Sequence, residues 1–363
     1  MTLATTPRRR IALVAPARYP IREPYAGGLE AFCHTLVRAV RSLGHTVDLY
    51  AAAGSQGHVR DVELPGISWS RDPLEASDTA YPPGARAAED AAFHRLARHL
   101  AREGYDIVHN NSLTPVLFEH PLPLLTTLHT PALPEVQDAI VAAGPRAGRF
   151  TAVSAATAAD WVLPRPATVI PNGVDTDLWR PGPGGEAAVW FGRIVPEKGL
   201  HLAMDACRRA GIPLLFAGRV GDHRYFAKEI VPRMTGQAAT WVGELDHVGL
   251  QTLVSQCRVC LVTPRWEEPF GLVAFEAMAC GTPVAAFRRG GLGELLTSAP
   301  AALAVPDDVE SLAAAVHVAA GIDRPVVREW VVRHHSLTQV ARRYAELYTE
   351  VPARWAPYVF SDT

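Results

Sequence analysis

The sequence lacks any long hydrophobic run. No window holds the ~18 uninterrupted apolar residues that a membrane-spanning helix needs, so no transmembrane segment is expected. Arg8, Arg9 and Arg10 precede an apolar stretch at residues 11–15, but it is too short for a secretory signal and is interrupted by Arg18 and Pro20. An excess of one charge is also missing: 35 Lys and Arg stand against 37 Asp and Glu, a net charge of -2. That balance gives no electrostatic basis for nucleic acid as the main partner, although a few local cations can still hold an anionic small molecule. Cysteine is scarce. Cys33, Cys207, Cys257, Cys260 and Cys280 are scattered and odd in number, which fits a reduced, cytoplasmic protein better than a disulfide scaffold. Cys257 and Cys260 form a C-x-x-C, but no second ligand pair follows at metal spacing and Cys260 lies in an apolar stretch, so core packing is the expectation. The G-x-S-x-G elbow and the G-x-x-x-x-G-K-[ST] loop are absent too, removing the standard hydrolase and P-loop signals.

What is present is an ordinary globular composition, 48% hydrophobic and 20% charged, over 363 residues. At ~150 residues per domain, that length suggests two domains. Residues 11–15 read as a buried parallel strand. A proline-rich loop then ends at Gly27-Gly28, and Leu29, Phe32, Cys33, Leu36, Val37, Val40 and Leu43 follow at helical spacing up to Gly44. Residues 47–51 form the next strand, completing the unit that starts a doubly wound sheet. Residues 52–90 read as loops, with a helix indicated by Phe93, Leu96, Ala97 and Leu100. Further strands are expected at 107–109, 124–128 and 150–153. Residues 163–186 are rich in Pro, Gly and Asp, and 181–185 (PGPGG) is the best linker candidate. The pattern then restarts with a strand at 188–191, a polar loop at 192–199, a helix at 200–210, and strands at 214–217, 240–242, 259–263 and 284–287. The expected fold class is therefore α/β, two Rossmann-like domains with a ligand cleft at the carboxyl ends of their strands.

Two motifs carry chemistry. In the block 268–283 (EPFGLVAFEAMACGTP), Glu268 and Glu276 stand eight residues apart. Phe270, Gly271 and Leu272 open a helix whose unpaired amides can hold an anion, and Gly281 and Pro283 end it. Alone, such a pair would be a surface carboxylate and a capping carboxylate. The loop 192–199 (GRIVPEKG) sits in the same half between a strand and a helix, where phosphate loops lie, and brings Arg193 and Lys198.

With these residues, the sequence resembles the retaining GT-B glycosyltransferases of family 4. The resemblance runs along nearly the whole chain, through 26–30 (AGGLE), 44–47 (GHTV), 128–130 (LHT), Val153-Ser154, 171–175 (PNGVD), Arg193 with 197–199 (EKG), 242–244 (VGE) and 268–283. The segment 290–294 (GGLGE) is similar to a family loop that usually has Pro where Gly293 stands. The resemblance implies residues 1–170 as an acceptor-binding domain, with the C-terminal helix, about 339–363, packing back on it, and residues 171–338 as the nucleotide-sugar domain. It implies that Arg193 and Lys198 bind the donor diphosphate, that Glu276 takes the ribose hydroxyls, and that Glu268 with the amides of Phe270, Gly271 and Leu272 holds the transferred sugar. Gly27 and Gly28 would bring backbone amides from the other side, and His129 would sit beside the sugar. The donor base would be read near 218–220 and 242–244, through Val242 and Glu244. UDP is favoured over GDP and dTDP, no cofactor beyond the nucleotide sugar is expected, and the acceptor pocket should lie around 16–28 and 109–112.

Other readings remain open. Asp175-Thr-Asp177 is a D-x-D, but it follows Pro171-Asn172-Gly173 and not an apolar strand, so it reads as a turn and no metal site is expected. The segment 290–293 lacks G-x-G-x-x-G spacing, which argues against a nicotinamide dehydrogenase. A nucleotide-sugar isomerase or epimerase on the same fold, and an inactive sugar-nucleotide binding protein, are the alternatives to a hexosyltransferase.

Overall fold

The computed structural model describes residues 7–69, 81–234 and 239–351. They form two six-stranded parallel sheets. The first contains β1 (Arg10–Val14), β2 (Thr46–Tyr50), β3 (Ile107–Asn110), β4 (Leu124–Leu128), β5 (Arg149–Ala152) and β6 (Thr168–Val169), in the order β2-β1-β3-β4-β5-β6. The second contains β7 (Ala188–Phe191), β8 (Leu214–Ala217), β9 (Ala239–Trp241), β10 (Val259–Val262), β11 (Val284–Phe287) and β12 (Ala302–Ala304), in the order β12-β11-β10-β7-β8-β9.

Strands covered on both faces must be apolar on both, and these are. Along β1, Ile11 and Leu13 join one core with Phe32, Val37 and Ile107, while Ala12 and Val14 join another with Phe93 and Leu96. Val189 and Phe191 of β7 face Phe275 and Met278, whereas Ala188 and Trp190 face Leu200 and Leu312. In each sheet the strand order reverses beside its first strand, between β1 and β3 and between β7 and β10. A crevice opens at the carboxyl ends of such strands.

The chain crosses between the halves twice, side by side. Val174 N donates to His335 O at 2.8 Å and Leu337 N donates to Val174 O at 2.9 Å. Residues 181–185, chosen from the sequence as the linker, are not a free spacer. They pack on the second half, where Gly184 N donates to Ser255 O at 3.0 Å. The C-terminal helix Leu337–Glu350 lies on the first helix, Gly28–Ser42, and buries Val340, Tyr344, Leu347 and Tyr348 in the β1 core. Residues 352–363 of the segment expected to pack back lie outside the described residues.

Two expectations need correction. The stretch read as loop to residue 90 becomes helical earlier, in a helix spanning Ala85–Glu103, and residues 70–80 of it lie outside the described residues. The short strands β6 and β12 had no signal in the sequence. No helix among the described residues is long and apolar enough to cross a membrane.

Candidate active site

A cleft of about 370 Å³ lies where the two switch points face each other. From the first half, the loop after β1 leads through Gly27 into the helix Gly28–Ser42. From the second, the loop after β7 carries Arg193 and Lys198, and the loop after β10 carries Glu268 into the helix Leu272–Ala279. The two helix N-termini nearly meet: a Cβ placed on Gly28 would lie 3.7 Å from Leu272 Cδ2. The first amides of each helix have no intrahelical partner, and the helix dipoles make this narrow gap favourable for an anion.

Two glycines allow the second half to shape its wall. At Gly199 (φ 65°) an added Cβ would come within 2.2 Å of the Thr263 carbonyl oxygen, so only glycine lets the Lys198 loop lie on the end of β10. At Gly271 (φ 79°) the chain turns sharply into the helix with Leu292 packed close behind. The two carboxylates eight residues apart thereby reach different surroundings. Glu268, on the loop, accepts from Lys198 Nζ at 2.6 Å and from Trp266 Nε1 at 2.9 Å. Glu276, inside the helix, is 6% exposed, and burial pushes its carboxyl up to about 8. Arg193 lines the same cleft and approaches Glu197 at 3.5 Å.

On the first wall, Glu30 is buried one turn into its helix. Burial raises its carboxyl above the usual range, while Arg193, Arg18 and Arg219 pull it back. His129 Nε2 meets Asn111 Oδ1 at 3.0 Å, and Asn111 Nδ2 donates to His109 O, so Nε2 carries the proton. Burial pushes the His129 imidazole down to about 3, so it enters any chemistry as a neutral ring.

Of the residues singled out in the sequence, Gly27, Gly28, His129, Arg193, Lys198, Glu244, Glu268, Phe270, Gly271, Leu272 and Glu276 line this one cleft. Val242 does not. It continues from β9, donates its amide to Phe216 O at 2.9 Å, and packs into the core of the second half. The segment 109–112 does not line the cleft either. His109 is wholly buried, hydrogen-bonded to Tyr348 and Thr127 at 2.8 Å each, because the C-terminal helix covers it. Asn111 reaches the site only through His129. The Asp175 carboxylate accepts from the amides of Asp177 and Leu178, which is a turn. Among the described residues, no group of three or more His, Cys, Asp or Glu is placed to hold a metal, and all five cysteines are free and buried.

The sequence reading did not name Trp266 or Glu89, and covered Asn172 only inside a motif and Arg219 only inside the segment 218–220; all four line the cleft. Glu89 reaches it from the helix Ala85–Glu103, with no local pattern to mark it.

Two family models match the chain in succession: Glycosyltransferase Family 4 over residues 26–178, and Glycosyl transferases group 1 over residues 183–319. The chain belongs to the family 4 glycosyltransferases. It is 37% identical over 160 residues to a glycogen synthase of Mycobacterium tuberculosis, which covers 41% of this chain and 38% of that one. The chain thus spans about two fifths of that relative's length. A D-inositol 3-phosphate glycosyltransferase of Geodermatophilus obscurus is 29% identical over 344 residues, 78% of this chain and 76% of that one. Among solved structures, a sucrose-phosphate synthase of Thermosynechococcus elongatus superposes with a TM-score of 0.74 at 24% identity, over 94% of this chain and 99% of that one. HepE of Anabaena, solved with UDP and glucose, has a TM-score of 0.70 at 19% identity, over 94% and 100%. These likenesses show that the family 4 chain has the GT-B fold.

Proposed function

We propose that this family 4 chain transfers a hexosyl-type sugar from a nucleoside diphosphate donor to an acceptor hydroxyl, with retention and without a metal ion. The observation that carries the reading is the Lys198–Glu268 pair at 2.6 Å, set between two facing helix N-termini and beside Arg193 and Glu276. In the reaction the bond from the anomeric carbon to the phosphate oxygen breaks, and negative charge grows on the diphosphate. Lys198, Arg193 and the amides at Gly28, Gly271 and Leu272 are fixed where that charge develops, the arrangement that lowers such barriers most. Glu268 faces the sugar as it becomes cation-like. The acceptor oxygen forms the new bond on the face the phosphate leaves, and its proton passes to the departing diphosphate. His129, being neutral, contributes a hydrogen bond or a contact rather than a charge.

In this reading residues 1–170 with the C-terminal helix hold the acceptor and residues 171–338 hold the nucleotide, Glu276 taking the ribose and Glu244 lying on the side of the base. UDP is favoured, in keeping with the UDP bound by HepE.

Titration calorimetry with UDP, alongside UDP release from UDP-glucose, tests this. Glu268→Gln should keep UDP affinity and lose transfer, and Glu276→Gln should lose UDP affinity. Equal loss of UDP binding in both variants would overturn the assignment of the two carboxylates.

A further inference from the structure

One aromatic ring touches both of the charges at the centre of the cleft. Trp266, on the loop after β10, is half-buried and lines the cleft. Its Nε1 donates to Glu268 Oε2 at 2.9 Å, and its ring centroid lies 5.2 Å from Lys198 Nζ. Lys198 Nζ donates to the same Glu268 oxygen at 2.6 Å. The backbone around this group is fixed from three sides. Thr263 Oγ1 donates to Lys198 O at 2.9 Å and the Arg265 amide to Glu197 O at 2.8 Å, which fastens the Lys198 loop to the stretch leading into Trp266. Leu292 N donates to Glu268 O at 3.2 Å, which fixes Glu268 from behind. The Glu268 side chain is what remains to be held, and the two donors on Oε2 hold it. Oε1 has no hydrogen-bond partner among the described residues, so it is the oxygen left for a ligand.

The two donors on Oε2 are not equivalent. A diphosphate competes with Glu268 for the Lys198 ammonium, a compact charge on a flexible stem. The Trp266 N–H is neutral and is carried two residues from Glu268 on the same loop. When Lys198 turns to a diphosphate, Trp266 is the donor that stays on Oε2. Without it the carboxylate can rotate among its staggered conformers, and the alignment of Oε1 with a bound sugar is lost. The face of the same ring lies within the ~6 Å over which an indole attracts a cation, so it steadies Lys198 as well.

We propose that Trp266 is a positioning residue for sugar transfer: its N–H edge keeps Glu268 Oε1 directed at the transferred sugar while Lys198 serves the diphosphate, and its face keeps Lys198 within reach of both. The proposal rests on the glycosyltransferase reading and deepens it by naming the group that acts through the sugar-facing carboxylate.

The test uses the full chain, with single-turnover UDP release from UDP-glucose and calorimetry with UDP. Trp266→Phe keeps an aromatic face and removes the N–H. It should slow UDP release roughly 10- to 100-fold, the range for a hydrogen bond to a charged group, and leave UDP affinity unchanged. Replacing Trp266 with benzothienylalanine, in which sulfur stands in place of the N–H, removes the donor at nearly constant shape; the same split is expected, and it carries the test if Trp266→Phe fails to fold. Trp266→Leu removes the face too and should also weaken UDP by roughly 2- to 5-fold, the range for an exposed cation–π contact. Wild-type turnover in the first two variants, or a loss of UDP affinity in them as large as their loss of turnover, would overturn the proposal. Unchanged UDP affinity in Trp266→Leu would overturn the part given to the ring face. Wild-type protein that neither binds UDP nor releases it from UDP-glucose would instead overturn the donor reading.

Discussion

Replacing Glu276 with Gln should make the protein more stable at neutral and alkaline pH while it loses its nucleotide. Glu276 is 6% exposed, and burial raises its carboxyl from 4.5 to about 8. A folded-state value above the unfolded one means that the native state keeps a proton the unfolded chain has released. The stability tied to that proton is fully present below pH 4.5 and is lost as the pH rises through 8. At ~1.4 kcal/mol per pH unit, the buried carboxyl disfavours folding by about 3 kcal/mol at pH 7 and about 5 kcal/mol once ionised in place. Gln keeps the shape and has no such penalty. The gap in unfolding free energy between variant and wild type should therefore widen by up to about 4 kcal/mol between pH 5 and pH 8.5. Urea unfolding of both proteins at the two pH values measures it, and every group common to both cancels in the difference. If the ribose hydroxyls donate to this carboxylate, they favour its ionised form, so UDP binding at pH 7 should release close to one proton. Calorimetry in buffers of different ionisation enthalpy reads that release. A gap that does not change with pH, or a Gln variant less stable at pH 8.5, would refute the argument from burial.

Other consequences follow from the same geometry. Lys198→Ala should cost about 10²–10³ in kcat, the usual loss for a preorganised group facing transition-state charge, and single-turnover rates with UDP-glucose measure it; a loss confined to KM would mean that Lys198 only binds. His129 stays neutral from about pH 3 upward, so its ring resonances should not shift between pH 5 and 8; a midpoint near 6 would contradict the burial seen here. Asp175→Ala should remove a turn cap and cost ~0.5–2 kcal/mol of stability by chemical denaturation, with turnover unaffected. Turnover should also survive EDTA, and loss restored by Mg²⁺ or Mn²⁺ would return Asp175 and Asp177 to consideration.

How much of this was legible in the sequence depended on how local its cause was. Strands β4, β7, β8 and β11 coincide with the apolar runs read from the sequence, because a parallel strand buried on both faces must be apolar throughout. β6 and β12 sit at the sheet edges with two and three residues, too few to show a period. The helix Ala85–Glu103 shows its buried stripe chiefly from Ala92 onward, so its polar first turns read as loop. The cleft follows the same rule. Residues within one motif, such as Gly271 and Glu276, were found because their spacing is set by the helix they open. Glu89 comes from a distant element, and only the folded chain places it on the same cavity. Val242 failed for the opposite reason: it lies in a quoted motif, but its side chain still belongs to the core at the end of β9.

The bend at Gly271 is what separates two chemically identical side chains. Without it, residues 268 and 276 would lie on one helix two turns apart and share much the same surroundings. With it, Glu268 stays on the loop, 8% exposed and held by Lys198 and Trp266, while Glu276, 6% exposed, lies on the helix Leu272–Ala279. Lys198 Nζ donates to Glu268 at 2.6 Å. Glu276, with burial as the dominant influence, holds its proton until a partner arrives. Under the proposed assignment, a donor that brings a diphosphate to Lys198 and hydroxyls to Glu276 would change both at once: it would compete with Glu268 for Lys198 and favour ionisation of Glu276. A double-mutant cycle of Lys198→Ala and Glu276→Gln on UDP affinity should show coupling, because each variant alters what the nucleotide meets at the other end. Strictly additive losses would mean that the two contacts are made independently and that the ion pair seen in the cleft plays no part in binding.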